Sequence, residues 1–194
     1  MVLERSRPRH LANSVGFDDA PFSRVQRGAV PIVGAVFART RFDGVLVGAV
    51  ERDGDDATEE IVRLVRGSRF EEHVQVVLLQ GITFAGFNVV DVPLLSEQLR
   101  RPVLVVCRKV PDWSRIRLAL LDKVPNGRDK WRRIEQLGPM ERIGHVYVQR
   151  WGLGREEAQW LVHLLAVHGH LPEPLRVAHL IAGAIGRGAS RGRP

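Results

Sequence analysis

The sequence predicts an α/β domain built on a single mixed β-sheet. Two observations carry this. Near the beginning, three strand-like apolar segments follow one another with no helical pattern between them. After them, helical patterns alternate with short runs rich in Val and Leu. The first group reads as antiparallel neighbours, and the second as parallel strands joined by helical crossovers.

Each element follows from local chemistry. Residues 1 to about 10 (MVLERSRPRH) form a basic, proline-containing arm, expected to be poorly ordered at its start. Residues 11–194 suit one domain. The first strand runs from Leu11 to Asp18, the second from Ala29 to Ala38, and the third from Gly44 to Val50. RTRFDG, between the last two, carries an Asp-Gly pair suited to a tight hairpin. Pro31 cannot donate to a ladder, which predicts an edge position or a bulge. Asp56 reads as the N-cap of the first helix, with Glu59 at its third position completing a capping box. Ile61, Leu64 and Val65 make that helix's apolar stripe, and Gly67 stops it.

VQVVLL (Val74 to Leu79) and PVLVVC (Pro102 to Cys107) read as central strands covered on both faces, with the crossover around Val89 to Leu99. Helical pieces follow at Trp113 to Leu121 and Lys130 to Leu137, with VPNGRD as the loop between them. A short strand, His145 to Gln149, precedes closing helices at Arg155 to Val167 and Glu173 to about Gly186. This order matches the ribonuclease H-like architecture: three antiparallel strands, then parallel strands, flanked by helices. Nucleases, transposases and sugar kinases share that architecture, so function must be argued from the site.

Composition narrows the class. Of 194 residues, 44% are hydrophobic and 26% charged, the balance of a soluble globular protein. No run approaches the roughly 18 apolar residues that span a bilayer, and no apolar core follows the basic N-terminus as in a secretory signal. A membrane partner is not expected, and a cytoplasmic location is. Cys107 is the one cysteine, so no internal disulfide forms, and its apolar setting reads as a buried small hydrophobe. The net charge of +7, carried mostly by Arg, makes DNA or RNA a natural partner. Solubility alone would also account for it.

Carboxylates at strand ends are what a metal-dependent phosphodiesterase needs, because hard cations such as Mg²⁺ or Mn²⁺ take oxygen ligands and clamp the reacting oxygens. Asp18 and Asp19 end the first strand, and ERDGDD (Glu51 to Asp56) follows the third. If the strands are neighbours, Asp18, Asp19, Asp53 and Asp56 converge. Alternatively, Asp53-Gly54 is a turn, Asp56 a cap and Glu51 a solvated acid. GITFAGFNVVD (Gly81 to Asp91) offers Gly81 and Gly86 for positive φ and Asn88 as cap of the following helix, but matches no phosphate-loop spacing.

In LPEPLRVAHLIA (Leu171 to Ala182), the prolines fix a helix entry. Val177, Ile181 and Ile185 would face a core, while Glu173, Arg176 and His179 share another face. That second face is either a surface salt-bridge group or a projection of Arg176 and His179 into a cleft. Trp131, beside Lys130, Arg132 and Arg133, suits base stacking with phosphate contacts, or packing on a basic helix. Trp160 reads as core-facing. The seven histidines show no HExxH spacing.

Taken together, GFDDAPF, DGDDAT, GITFAGFNVVD and PEPLRVAHLIA resemble the domain of unknown function 99 family, an uncharacterised, endonuclease V-like group of archaeal and bacterial proteins. The resemblance extends from about Asn13 to Arg193. It implies kinship to endonuclease V, a ribonuclease H-like enzyme that cuts nucleic acid near deaminated adenine using carboxylate-bound Mg²⁺. Carried over on that resemblance, Asp18 is the first metal-binding aspartate, and Asp53 or Asp56 stands nearest the next acid. Gln80 occupies the place of a strand-ending aspartate, and His179 that of an aspartate on the late helix. The expected catalytic set is Asp18, Asp56 and His179, with Asp18, Asp19, Asp53, Asp56 and Gln80 around metal. Arg176, Asn88, Lys130, Trp131 and Arg132 would meet nucleic acid.

No equivalent of the relative's tyrosine-proline-glycine wedge is visible. Gln80 and His179 together remove up to two negative charges from a hard-cation site. The alternative is therefore a non-catalytic nucleic-acid-binding protein with a degenerate metal site. A small-molecule enzyme using the GITFAGFN loop is a third, lesser reading.

Overall fold

The computed structural model describes residues 11–23 and 28–190, so the N-terminal arm lies outside the described residues. The elements, in chain order, are β1 (Asn13–Asp19), β2 (Ala29–Ala38), β3 (Arg41–Glu51), α1 (Ala57–Arg66), β4 (Val76–Gln80), β5 (Thr83–Phe84), β6 (Asn88–Val89), α2 (Val92–Leu99), β7 (Val103–Cys107), α3 (Trp113–Lys123), α4 (Gly127–Gln136), β8 (Glu141–Ile143), β9 (Val146–Trp151), α5 (Arg155–Leu165) and α6 (Glu173–Arg187). Seven strands form one mixed sheet in the order β3-β2-β1-β4-β7-β9-β8, and β5 and β6 form a separate small hairpin. β1, β2 and β3 are antiparallel, whereas β1, β4 and β7 are parallel, so the expected architecture holds.

The central strands are buried on both faces. Val15, Phe17, Val77, Leu79, Val103 and Val105 join one core cluster with residues of α1 and α2. Their neighbours Val76, Leu78, Leu104 and Val106 join a second cluster with α5 and Leu175 of α6. This alternation fixes which way the end of β1 points. Gly16 lies under α6, where an added Cβ would stand 2.5 Å from the Pro174 carbonyl carbon. Asp18, two residues on, therefore shares the α6 face, and Asp19 takes the other.

Several local expectations need correction. The β2–β3 turn falls at Arg39–Thr40, with Arg39 at φ 58°, and Asp43-Gly44 lies inside β3 beside a register shift. Pro31 sits in an inner strand. β1 ends at Asp19, opposite Ile32, so Pro31 lies one step past that ladder, where its missing N–H costs nothing. Its carbonyl still accepts from the Ala20 N–H at 2.8 Å. The buried face of α6 is Leu175, Ala178, Ala182 and Gly183, because small residues let the helix lie close on β1 and β2. Val177 and Ile181 are half-buried against that cluster, and Ile185 is 45% exposed. Trp160 is half-buried against the second cluster. β8, a three-residue run Glu141–Ile143 with little apolar pattern, was not legible in the sequence.

β3 is an edge strand with Val45 and Val47 38% and 54% exposed. Two of its outward backbone N–H groups are occupied: Ala49 donates to Glu60 Oε1 at 3.2 Å and Glu51 to Asp56 Oδ1 at 3.1 Å. Among the described residues no helix is long and apolar enough to cross a membrane.

Candidate active site

β1 and β4 run parallel, with Phe17 opposite Leu79, and one further step sets Asp18 beside Gln80 at the carboxyl edge of the sheet. Asp18 is 5% exposed. Its Oδ2 lies 2.7 Å from His179 Nδ1, and its Oδ1 accepts the Asp19 N–H at 3.0 Å. The hydrogen bond to Asp18 raises the His179 pKa, partly offset by burial, so the Nδ1–H form is favoured and Nε2 remains for other contacts. The His179 side chain is 44% exposed, open to a large partner. Gln80 Oε1 is buried and, among the described residues, accepts no hydrogen bond, an unused oxygen at the same edge.

Two cations missed in the sequence act on His179: Arg108, just after β7, and Arg187, in the last turn of α6, both oppose its protonation. The signal for Arg108 was its place, one residue past a buried strand whose end lies at the same edge as Gln80.

Asp19 faces the other way. Its Oδ2 accepts the Ala85 N–H at 2.7 Å, holding the β5–β6 turn. Burial, then the neighbouring Asp18 charge, push its pKa up to about 6.

The second acidic stretch is spent on architecture. Asp53, at φ 55°, donates its N–H to the Ala85 carbonyl at 2.9 Å, and its Oδ1 accepts from the Phe87 N–H at 2.8 Å. Gly86 has positive φ, and an added Cβ there would collide with the Asp53 carboxylate. Asp56 makes no cap hydrogen bond to α1, contrary to the expected capping box. It instead accepts from the Glu51 N–H and from Asn88 Nδ2. Asn88, fully buried, caps α1 through Oδ1 to the Ala57 N–H at 3.0 Å, while Asp91 caps α2, the helix Asn88 was expected to cap. Among the described residues, no three His, Cys, Asp or Glu side chains come together as a metal-binding group.

The expected nucleic-acid contacts also rearrange. Lys130 is 1% exposed, its Nζ donating to the Asp53 carbonyl at 2.6 Å and lying 3.7 Å from Asp55. Burial lowers its pKa, so it serves as an internal strut and not a phosphate contact. Trp131 is half-buried against the larger core cluster, with Arg117 6.0 Å over its ring. Asn88 is fully buried. Arg176 is paired bidentately with buried Glu173 at 2.7 and 2.8 Å. Arg132 is exposed, paired with Asp129 at 3.0 Å. Burial pushes the Cys107 thiol up to about 11, which keeps it an unreactive packing group.

The strand order and the acid-bearing edge of β1 define a ribonuclease H-like fold of the endonuclease V type. The described elements superpose on Ciona intestinalis endonuclease V, solved with a 24mer DNA containing an inosine followed by a ribo-adenosine, with a TM-score of 0.57 at 14% identity, covering 86% of this chain and 82% of that one. At that identity the likeness concerns the fold alone. The chain belongs to the endonuclease dU family, whose model matches residues 10–186. A UPF0215 protein of Deinococcus radiodurans is 51% identical over 191 residues, 98% of this chain and 97% of that protein. The crystal structure of a protein of unknown function from Archaeoglobus fulgidus matches with a TM-score of 0.84 at 35% identity, covering 91% of this chain and 99% of that one.

Proposed function

We propose that the protein is an endonuclease that cleaves the phosphodiester backbone at the shared edge of β1 and β4, assisted by Mg²⁺ or Mn²⁺. The observation that carries this reading is the buried Asp18 carboxylate, held by His179 at 2.7 Å beside the unused Gln80 oxygen. The family description, endonuclease dU, makes a DNA strand containing deoxyuridine the first substrate class to test. The inosine-containing DNA of the Ciona complex makes deaminated adenine the second.

Asp18 and Gln80 Oε1 would hold the ion, with Asp18 as the one charged ligand. Such a donor set fits a single weakly bound cation completed by water and phosphate, and not an all-protein cage. When bound, the ion supplies charge neutralisation on the scissile phosphate. His179, oriented by its Nδ1–H to Asp18, presents Nε2 to the phosphate and can exchange a proton with a reacting oxygen. Arg108 and Arg187 draw the anionic backbone toward this edge. Asp19 and Asp53 keep the β5–β6 turn fixed beside it.

The test is cleavage of deoxyuridine- and inosine-containing DNA and RNA in Mg²⁺ or Mn²⁺, with Asp18→Asn and His179→Ala. Asp18→Asn should lose cleavage on the order of a hundredfold or more. Among the described residues no three metal-ligating side chains converge, which favours the non-catalytic reading. Salt-sensitive binding with no cleavage in either metal, unchanged by Asp18→Asn, would establish it instead.

A further inference from the structure

At the opposite end of β1 the fold leaves a recess of about 460 Å³. That size lies in the range that holds small ligands, about 300–1,000 Å³. β1 separates it from the Asp18 edge. Six residue steps from Asn13 to Asp19, at about 3.3 Å each, make roughly 20 Å. The recess therefore cannot belong to the candidate active site.

Its floor is apolar and aromatic, made by Phe37 and Val74, both almost fully buried, and by half-buried Phe70. Gly44 creates the space for Phe70, since an added Cβ would strike the Phe70 ring. The rim is cationic. Arg41 is held by Asp43 through two bonds at 2.7 and 3.2 Å, and the same carboxylate feels Arg69 and His73. One acid thus faces two guanidiniums and an imidazole, leaving net positive charge over an aromatic floor. Arg69 pairs with no carboxylate among the described residues and rests 4.8 Å over Phe70. An exposed guanidinium parked on a ring can turn to a phosphate without breaking a salt bridge.

We infer that this recess is a second site, which binds a nucleoside 5′-phosphate: the planar base lies on Phe70, over the apolar floor that Phe37 and Val74 close, and the phosphate meets Arg69 and Arg41 with His73. Free nucleotides and the 5′-phosphorylated end of a strand share this chemistry. The inference does not depend on cleavage at Asp18.

Calorimetric titration of the whole protein with dUMP, deoxyuridine and inorganic phosphate tests it, alongside Arg69→Glu, His73→Glu and Asp18→Asn. Both Arg69 and His73 are exposed, so neither charge reversal disturbs the core. Expected is dUMP binding tighter than either fragment, weakened by about tenfold or more in Arg69→Glu, weakened also in His73→Glu, and unchanged in Asp18→Asn. No dUMP binding, binding indifferent to both charge reversals, or binding lost in Asp18→Asn would each overturn the inference. A short oligodeoxythymidylate with and without its 5′-phosphate identifies the source. Preference for the phosphorylated strand over dUMP assigns the site to strand ends, and the reverse assigns it to free nucleotide.

Discussion

Two acidic stretches that look alike in the sequence part ways in the fold at one residue, Asp18. Asp18 and Asp19 close β1, while Glu51 to Asp56 joins β3 to α1. In the second, each aspartate meets a backbone or side-chain donor, most of them from other elements packed against the connection. Asp53 took the Phe87 N–H, Asp56 took the Glu51 N–H and Asn88, and Asp55 took Asn126 and Arg133. In the first stretch, Asp18 has no loop to close and meets an imidazole from a helix 161 residues away. A carboxylate surrounded by orphan N–H groups becomes architecture, and one facing a titratable side chain at an open edge stays available for chemistry.

Exchanging the two groups' roles would break this comparison. Asp18→Asn is expected to lower cleavage by about a hundredfold or more while leaving stability nearly unchanged, because an amide still fills the same space; a drop of several degrees in melting temperature would count against it. Asn88→Ala should do the reverse. It removes bonds to the Ala57 N–H, the Glu51 carbonyl and Asp56 from a fully buried position, a loss of about 3 kcal/mol or more, read by urea unfolding. Asp56→Ala should cost less, about 1–2 kcal/mol, since the Glu51 N–H it frees lies at an exposed edge.

Asp19 sharpens the contrast through pH. Its folded pKa of about 6 exceeds the ordinary 3.8, so the folded state binds the proton more tightly. That contribution is complete below about pH 4 and is lost as pH rises through about 6. Asp19→Asn, which retains an acceptor for the Ala85 N–H, should therefore stabilise the protein at pH 8 by up to about 3 kcal/mol and leave it unchanged near pH 3.5. The smallest effect belongs to His179. Its raised pKa stabilises the fold fully below the unfolded value of 6.5, and the gain is lost as pH rises through the folded value. His179→Gln should flatten that limb by less than about 1 kcal/mol, because the pair is partly solvated.

The strand order was legible because apolar runs such as Val76–Gln80 and Val103–Cys107 are buried on both faces and have no polar interruption. The end of β1 was legible for the opposite reason: adjacent acids interrupt a buried strand only where something answers them. Lys130, Asn88 and Asp56 were misread because their partners are distant in sequence; Lys130 reaches a carbonyl 77 residues away and Asn88 an N–H 31 residues away. Composition marks such residues as polar and cannot say that they are buried. Arg176 shows the limit of helical spacing, which placed it correctly beside Glu173 but not the burial that makes the pair internal.

The carboxylates that occupy the outward N–H groups of β3 have a consequence for colloidal behaviour. An eleven-residue edge with exposed Val45 and Val47 is a template on which another chain can add a strand. Glu60 and Asp56 close the half of that edge nearest α1, and Gly48, without a side chain, gives Glu60 room to reach it. Glu60 thus occupies a backbone donor that an added strand would need. Removing the carboxylate with Glu60→Ala should leave the protein folded yet increase its light scattering at high concentration.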